Sequence, residues 1–220
     1  MARPITQNFY FYCLHLADGT RNMDQKARGV FENMAHLTRY YMYKKIRECF
    51  KKPIKGKILG ISGIKHFYSL IDMENSELTE VEYPEVDMQN LPYKDNTFNF
   101  VISDQVIEHI EDPKKAIEES YRVLKKDGIT IHTTCFINYI HPCPKDFWRF
   151  SPEALSYLCK DFSEIICCEG WGNRISILLC FLSDRFRFIR IPEAKWSIRH
   201  LIATWSEERY PIVTWVVAKK

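Results

Sequence analysis

Short apolar runs alternate with amphipathic stretches along most of this chain. Ile58 and Leu59 open an apolar strand that runs into Gly60-Ile61-Ser62-Gly63. Glu77 to Glu82 reads as a second, short strand whose apolar members are Leu78 and Val81. Phe98 to Ile102 is a continuous apolar run of the kind buried on both faces of a sheet. Ile129 to Thr134, Glu164 to Cys168 and Ile212 to Ala218 complete the strand pattern. Helical spacing is seen from Asp24, where Phe31, Met34, Leu37 and Tyr41 recur, to about Phe50, since Pro53 cannot continue a helix. Asp112 and Pro113 suit the N-cap and first position of another helix, with Ile117, Tyr121 and Leu124 on one stripe and Lys125, Lys126 and Gly128 at its end. Ser151-Pro152-Glu153 opens a helix that buries Leu155 and Leu158, and Ile175 to Phe186 forms one more. The interval from Gly63 to Glu77 has no clear stripe and predicts an abbreviated crossover with at most one helical turn.

Parallel neighbours need crossover connections, so strands alternating with helices predict a mainly parallel, doubly wound sheet. The expected fold class is α/β, Rossmann-like, with about seven strands and an N-terminal helical extension. A length of 220 residues suits a single domain over 1–220. Residues 1–52 would be an arm and a helix, 53–220 the α/β core, and 138–152 a lid.

Composition narrows the function classes. A hydrophobic content of 46% with 14% aromatics is that of a globular chain, not a disordered one. The net charge of +3 calls for no nucleic-acid partner, and the run Lys44, Lys45, Arg47, Lys51, Lys52 reads as a solvated helix face. None of the eight cysteines forms a Cys-x-x-Cys pair, so zinc-site spacing is absent and no metal is expected. Reduced, mostly buried thiols in a soluble cytoplasmic protein are the expectation. Phe9 to Leu16 lacks the features of a signal peptide, and Ile175 to Leu182 is too short to span a bilayer.

The chemistry concentrates between residues 60 and 152. Gly60-Ile61-Ser62-Gly63 follows a strand, where glycines allow close backbone approach to a ligand and positive φ. Glu82 ends the second strand, where a carboxylate can accept from two ribose hydroxyls. Asp87-Met88 opens the loop that continues to Pro92 and Tyr93. Ser103-Asp104-Gln105 closes the buried strand and leads into Glu108-His109. After the next strand, His141, Asp146, Trp148 and Arg149 are interleaved with Pro142, Pro144 and Pro152 in a loop suited to covering a site.

This order of acidic loop, apolar strand, polar strand end and capped helix resembles the core of class I S-adenosylmethionine-dependent methyltransferases. The likeness is to the type 11 subgroup, whose fourth-strand region reads as aspartate, Leu-Pro, aspartate, Phe and Glu-His, and it covers roughly residues 55 to 160. The resemblance implies S-adenosyl-L-methionine as cofactor, with Gly60, Ser62 and Gly63 at its methionine and ribose parts. It also implies Asp87 at the adenine amino group, the Met88 amide behind the ring, and Ser103, Asp104 and Gln105 at the methionine end. Gly60 stands where the family has an acidic residue, and Ser62 where it has a glycine. His109 resembles the histidine that follows this strand in relatives. Relatives with the His141-to-Phe150 pattern methylate glycans or secondary metabolites, which implies O-methylation of a sugar, glycan precursor or other small molecule. His141 and His109 are the candidate bases, Asp146 an orienting or alternative base, and Trp148 and Arg149 the acceptor contacts. A non-catalytic methyltransferase-like binding protein, an RNA or protein methyltransferase, and a homodimeric state remain open.

Overall fold

The computed structural model describes residues 36–64, 67–73, 75–142, 144–192 and 194–220. The arm, the first part of the expected N-terminal helix (24–35) and Cys143 lie outside the described residues. The described helix α1 spans Leu37–Glu48. Strand β1 (Gly56–Ile61) is followed by a single helical turn, α2 (Phe67–Leu70), and by β2 (Ser76–Val81), which is the short crossover expected. Strand β3 (Phe98–Asp104) leads through a 3-10 turn (Ile107–His109) into α3 (Pro113–Val123) and β4 (Leu124–Cys135). The remaining elements are α4 (Pro152–Leu158), β5 (Glu164–Trp171), α5 (Arg174–Leu182), α6 (Ile198–Thr204) and β6 (Val213–Lys219).

The strands form one sheet in the order β2-β1-β3-β4-β6-β5, six strands among the described residues where about seven were expected. Pairings among the first four are parallel, while β6 is antiparallel to both β4 and β5. Residues between β2 and β3 run as turns, so no strand joins the sheet from there. The C-terminal helical region also differs from the periodic pattern. Ser183, in extended conformation, separates α5 from a 3-10 turn at Asp184–Phe186, and α6 lies in a stretch with no strong apolar stripe.

Successive side chains of a strand point to opposite faces, and this sorts the core into two layers. Ile58, Phe100, Ile102, Ile131, Trp215 and Val217 pack with Met42 and Ile46 of α1, with Phe67 of α2 and with Ala203 of α6. Leu59, Val101, Val216 and Ala218 pack on the other face with Ala116, Ile117 and Val123 of α3 and Leu155 of α4. Asp112 caps α3 as expected, accepting from the Lys115 amide at 3.1 Å. That helix stops at Val123, earlier than Lys125-Lys126-Gly128 suggested. Leu124 is already extended (φ −69°, ψ 140°) and pairs with Phe98, and the register with β3 shifts before Ile129 pairs with Phe100, with Asp127 at φ 63° in between.

A polar chain lies inside this core. Ser103 and His132 Nδ1 are 2.7 Å apart, His132 Nε2 and Thr130 Oγ1 2.6 Å, and Thr130 donates to the Val101 carbonyl at 3.1 Å. All three side chains are fully buried, and burial drives the His132 pKa down to about 3. The folded state therefore holds His132 neutral, so its contribution to stability is complete above pH 6.5 and is lost as pH falls from 6.5 towards 3. Urea unfolding at pH 7 and pH 5 should show this loss in the wild type, with a slope up to about 1.4 kcal/mol per pH unit from this group. His132→Gln should flatten the slope by about one proton. Equal slopes would show that His132 does not titrate with unfolding.

Candidate active site

The parallel register sets the site at one edge of the sheet. Ile61 pairs with Val81 on one side and with Ser103 on the other, so residues 62, 82 and 104 stand in a row. Neighbouring strands lie about 4.8 Å apart, which makes this row the width of a nucleoside. It falls where β1 has β2 on one side and β3 on the other, the switch point at which open α/β sheets bind ligands. The Ser62 amide donates to the Val81 carbonyl at 2.8 Å. Ser62 (φ 61°) and Gly63 (φ 77°) both take the left-handed conformation, and a Cβ placed on Gly63 would meet nothing within 4 Å. The turn therefore opens outward. Glu82 is exposed immediately after β2.

The adjoining loop is pre-shaped by its own hydrogen bonds. Asp87 Oδ1 accepts from the Gln89 amide at 2.8 Å, and both its oxygens accept from Gln89 Nε2 at 3.1 Å. Gln89 Oε1 in turn accepts from the Asp112 amide at 2.9 Å, tying the loop to the start of α3. Met88 and Leu91 are buried beneath it. Asp87 is thus a turn-making residue with lone-pair capacity left over.

Two of the expected cofactor contacts are engaged elsewhere. The Ser103 hydroxyl is committed to His132 inside the sheet. Asp104 receives Arg39 Nη1 at 3.1 Å and Tyr43 Oη at 2.8 Å from α1, together with the Thr133 hydroxyl of β4. Gln105, at φ 57°, donates its amide to Thr133 O at 3.0 Å. Arg39 and Tyr43, four residues apart on one helix face, were not singled out in the sequence, because a cation and a phenol on a helix are ordinary surface residues until the partner carboxylate is placed.

Beyond β4, the described residues between 136 and 150 have no regular structure, yet the loop is tightly knit. The Phe147 and Trp148 amides both donate to the Glu108 carbonyl (2.9 and 3.2 Å), and Trp148 Nε1 donates to the Ile110 carbonyl at 2.9 Å. Asp146 is gripped by both Arg149 terminal nitrogens and accepts the His141 amide at 2.8 Å. Arg149 hydrogen bonding, ahead of the His141 contacts, holds the Asp146 carboxyl down at about 2. Arg149 also donates to the Tyr139 carbonyl at 2.9 Å, so much of its fork is spent within the loop.

The two candidate bases meet here. The rings of His109 and His141 lie edge to face with centroids 5.0 Å apart. His109 Nδ1 is 2.6 Å from the Lys145 carbonyl, and His141 Nδ1 is 3.1 Å from the Tyr139 carbonyl and 3.2 Å from Asp146 Oδ2. A carbonyl only accepts, so each Nδ1 carries the proton and each Nε2 lone pair remains. Burial, above all, lowers the His141 pKa. Glu108, fully buried and bonded to Thr134 at 2.8 Å, and the buried Cys135 lie beside His141, and neither was selected from the sequence.

A family model described as a methyltransferase domain matches residues 45–132. The norajmaline N-methyltransferase of Rauvolfia serpentina is 46% identical over 150 residues, 68% of this chain and 48% of that protein. The chloroplastic 2-methyl-6-phytyl-1,4-hydroquinone methyltransferase 1 of Oryza sativa subsp. japonica is 34% identical over 87 residues, 37% of this chain and 25% of that protein. A methyltransferase structure from Archaeoglobus fulgidus shares the fold with a TM-score of 0.52 at 16% identity, covering 97% of this chain and 100% of that one. Residues 45–132 therefore carry the likeness to a methyltransferase domain, on a fold shared with an S-adenosylmethionine-dependent methyltransferase. The chain spans between about a quarter and a half of the length of the curated relatives named here.

Within this fold the departure at Gly60 has a packing counterpart. A Cβ on Gly60 would run into the side chain of Ile64, which is fully buried. The space beside Gly60 is filled by an isoleucine from the following turn. Gly60→Ala should therefore cost about 1–3 kcal/mol by overpacking. In an Ile64→Ala background the same change should cost less, with a coupling of about 0.5–3 kcal/mol between the two sites. Additive losses in a urea-denaturation double-mutant cycle would show that Ile64 does not occupy this space.

Proposed function

We propose that this protein methylates a hydroxyl of a small molecule, such as a sugar, a glycan precursor or another small metabolite. The observation that supports this most directly is the row of Ser62-Gly63, Glu82 and Asp104-Gln105 along one strand edge, with the His141 loop anchored next to it at Glu108. The outward-opening turn at Gly63 and the exposed Glu82 fit a nucleoside with a ribose diol.

Bound S-adenosylmethionine supplies an activated methyl group. The chain's own residues hold, orient and deprotonate. The turn at Ser62-Gly63 offers its backbone to the ligand, Glu82 accepts from the ribose hydroxyls, and Asp87 and the Met88 amide take the adenine edge. His141 is in the neutral, base-competent form near pH 7 because burial lowers its pKa, with Nε2 left to take the acceptor's proton. Asp146 keeps that imidazole oriented, Arg149 keeps Asp146 ionised, and the half-exposed Trp148 offers an apolar wall to the acceptor.

A second reading, a methyltransferase-like protein that binds a nucleoside without catalysis, is favoured by Ile64 filling the space beside Gly60. Calorimetric titration with S-adenosylhomocysteine and S-adenosylmethionine separates the two from a chain that binds neither. Asp87→Ala should weaken binding of both by about 1–3 kcal/mol. No heat at millimolar ligand, or an unchanged affinity in this variant, would remove the adenosine assignment.

With a competent acceptor, His141→Ala should lower turnover by about 10²–10⁴-fold while cofactor affinity stays constant. Turnover lost in His109→Ala and retained in His141→Ala would move the base to His109. Cofactor binding with no turnover on any hydroxylated acceptor would leave the binding-protein reading.

A further inference from the structure

Three donor groups converge next to the proposed cleft. Glu108 comes from the 3-10 turn after β3, Cys135 is the last residue of β4, and His141 lies in the loop that follows. One ligand atom from each lies within 4.8 Å of the others. Glu108 is 0% exposed, and although its Oε2 accepts from Thr134, its Oε1 is buried with no hydrogen-bond partner. Native interiors rarely leave a carboxylate oxygen so, unless an ion, a water or a functional role accounts for it. We propose that Glu108, Cys135 and His141 form a zinc site at the carboxyl edge of β3 and β4.

The donor set and the charge agree with a dication. Sulfur, imidazole nitrogen and carboxylate oxygen together suit Zn²⁺, and three protein ligands leave a fourth position open. Arg39 is paired with Asp104 and Arg149 with Asp146, so these charges cancel. The Glu108 carboxylate and a Cys135 thiolate then carry the two negative charges that balance the ion. Binding breaks the Cys135 S–H bond and releases its proton to solvent as the S–Zn bond forms. Contacts of His141 Nδ1 with the Tyr139 carbonyl and Asp146 are those that orient a metal-ligating imidazole through its second nitrogen, leaving Nε2 for the ion. Tetrahedral ligands about 2.0–2.3 Å from zinc sit roughly 3.3–3.8 Å apart, so no pair of donors needs to close in by more than about 1.5 Å. In the zinc-loaded protein His141 is a ligand and His109 the remaining imidazole. The site shares His141 with the proposed methyl transfer, so Nε2 serves either the ion or the acceptor's proton, and ion binding is read with neither cofactor nor acceptor present.

The experiment is a titration of the chelator-treated full chain with Co²⁺, followed by displacement with Zn²⁺. The expected result is a thiolate-to-cobalt charge-transfer band that saturates at about one ion per chain and is abolished by Zn²⁺. Cys135→Ser should abolish the band. The near-isosteric Glu108→Gln should weaken Co²⁺ binding by at least the about 10–100-fold that loss of an outer-shell partner costs. Cys159→Ser, an equally buried cysteine elsewhere in the core, should leave band and affinity unchanged, with circular dichroism confirming the fold of each variant. A wild-type chain with no saturable band, or a band that survives Cys135→Ser, would overturn the site. So would an affinity untouched by Glu108→Gln.

Discussion

The carboxylate of Asp104 joins three elements at the end of β3. It receives a guanidinium and a phenol from α1 and a hydroxyl from β4, and it is nearly buried while doing so. Desolvation penalises such a charge unless several donors meet it. Arg39 and Tyr43 can reach it only when α1 lies across the sheet edge, so satisfying Asp104 fixes where that helix sits. The apolar side of α1 then falls into place, with Leu37, Met42 and Ile46 buried against the strands. Everything proposed for the cleft depends on this clamp, because the row at Ser62, Glu82 and Asp104 is bounded by the helix that the clamp positions.

The same edge shows how one family pattern can be rebuilt by a compensating pair. Gly60 carries no side chain and Ile64 fills the volume beside it, which keeps the interior close-packed. A similar economy holds in the loop after β4. Asp146, Arg149 and the Tyr139 carbonyl satisfy one another, and two amides of the loop bond the Glu108 carbonyl. The segment is therefore both a connector packed on the 3-10 turn and the wall beside the two histidines. Most of the polar capacity of Asp146 and Arg149, two of the residues expected in a lid, serves the loop itself.

Much of the architecture was legible because the signals are local. The caps at Asp112 and Ser151 and the apolar runs at Ile58, Phe98 and Ile129 act within a few residues, and the short crossover after Gly63 is read from a missing stripe. Strand pairing is less local. The antiparallel insertion of β6 between β4 and β5 leaves no periodic trace, since a strand buried on both faces looks alike in either direction. The early stop of α3 was hidden for a related reason. Leu124 fits the helical stripe, and only its pairing with Phe98 pulls it into the sheet.

The sequence by itself determined the fold class, the order of strands and helices, and the segments whose ends meet at the sheet edge. Hydrophobic periodicity and capping chemistry encode these directly. Only the tertiary structure decided what each polar side chain faces. Ser103 went to His132 inside the sheet, and Asp104 to Arg39 and Tyr43 of α1. Glu108, Cys135 and His141, spread over three elements, came together with one carboxylate oxygen left without a partner. Such pairings depend on distances set by packing, and packing brings together residues that no spacing along the chain connects.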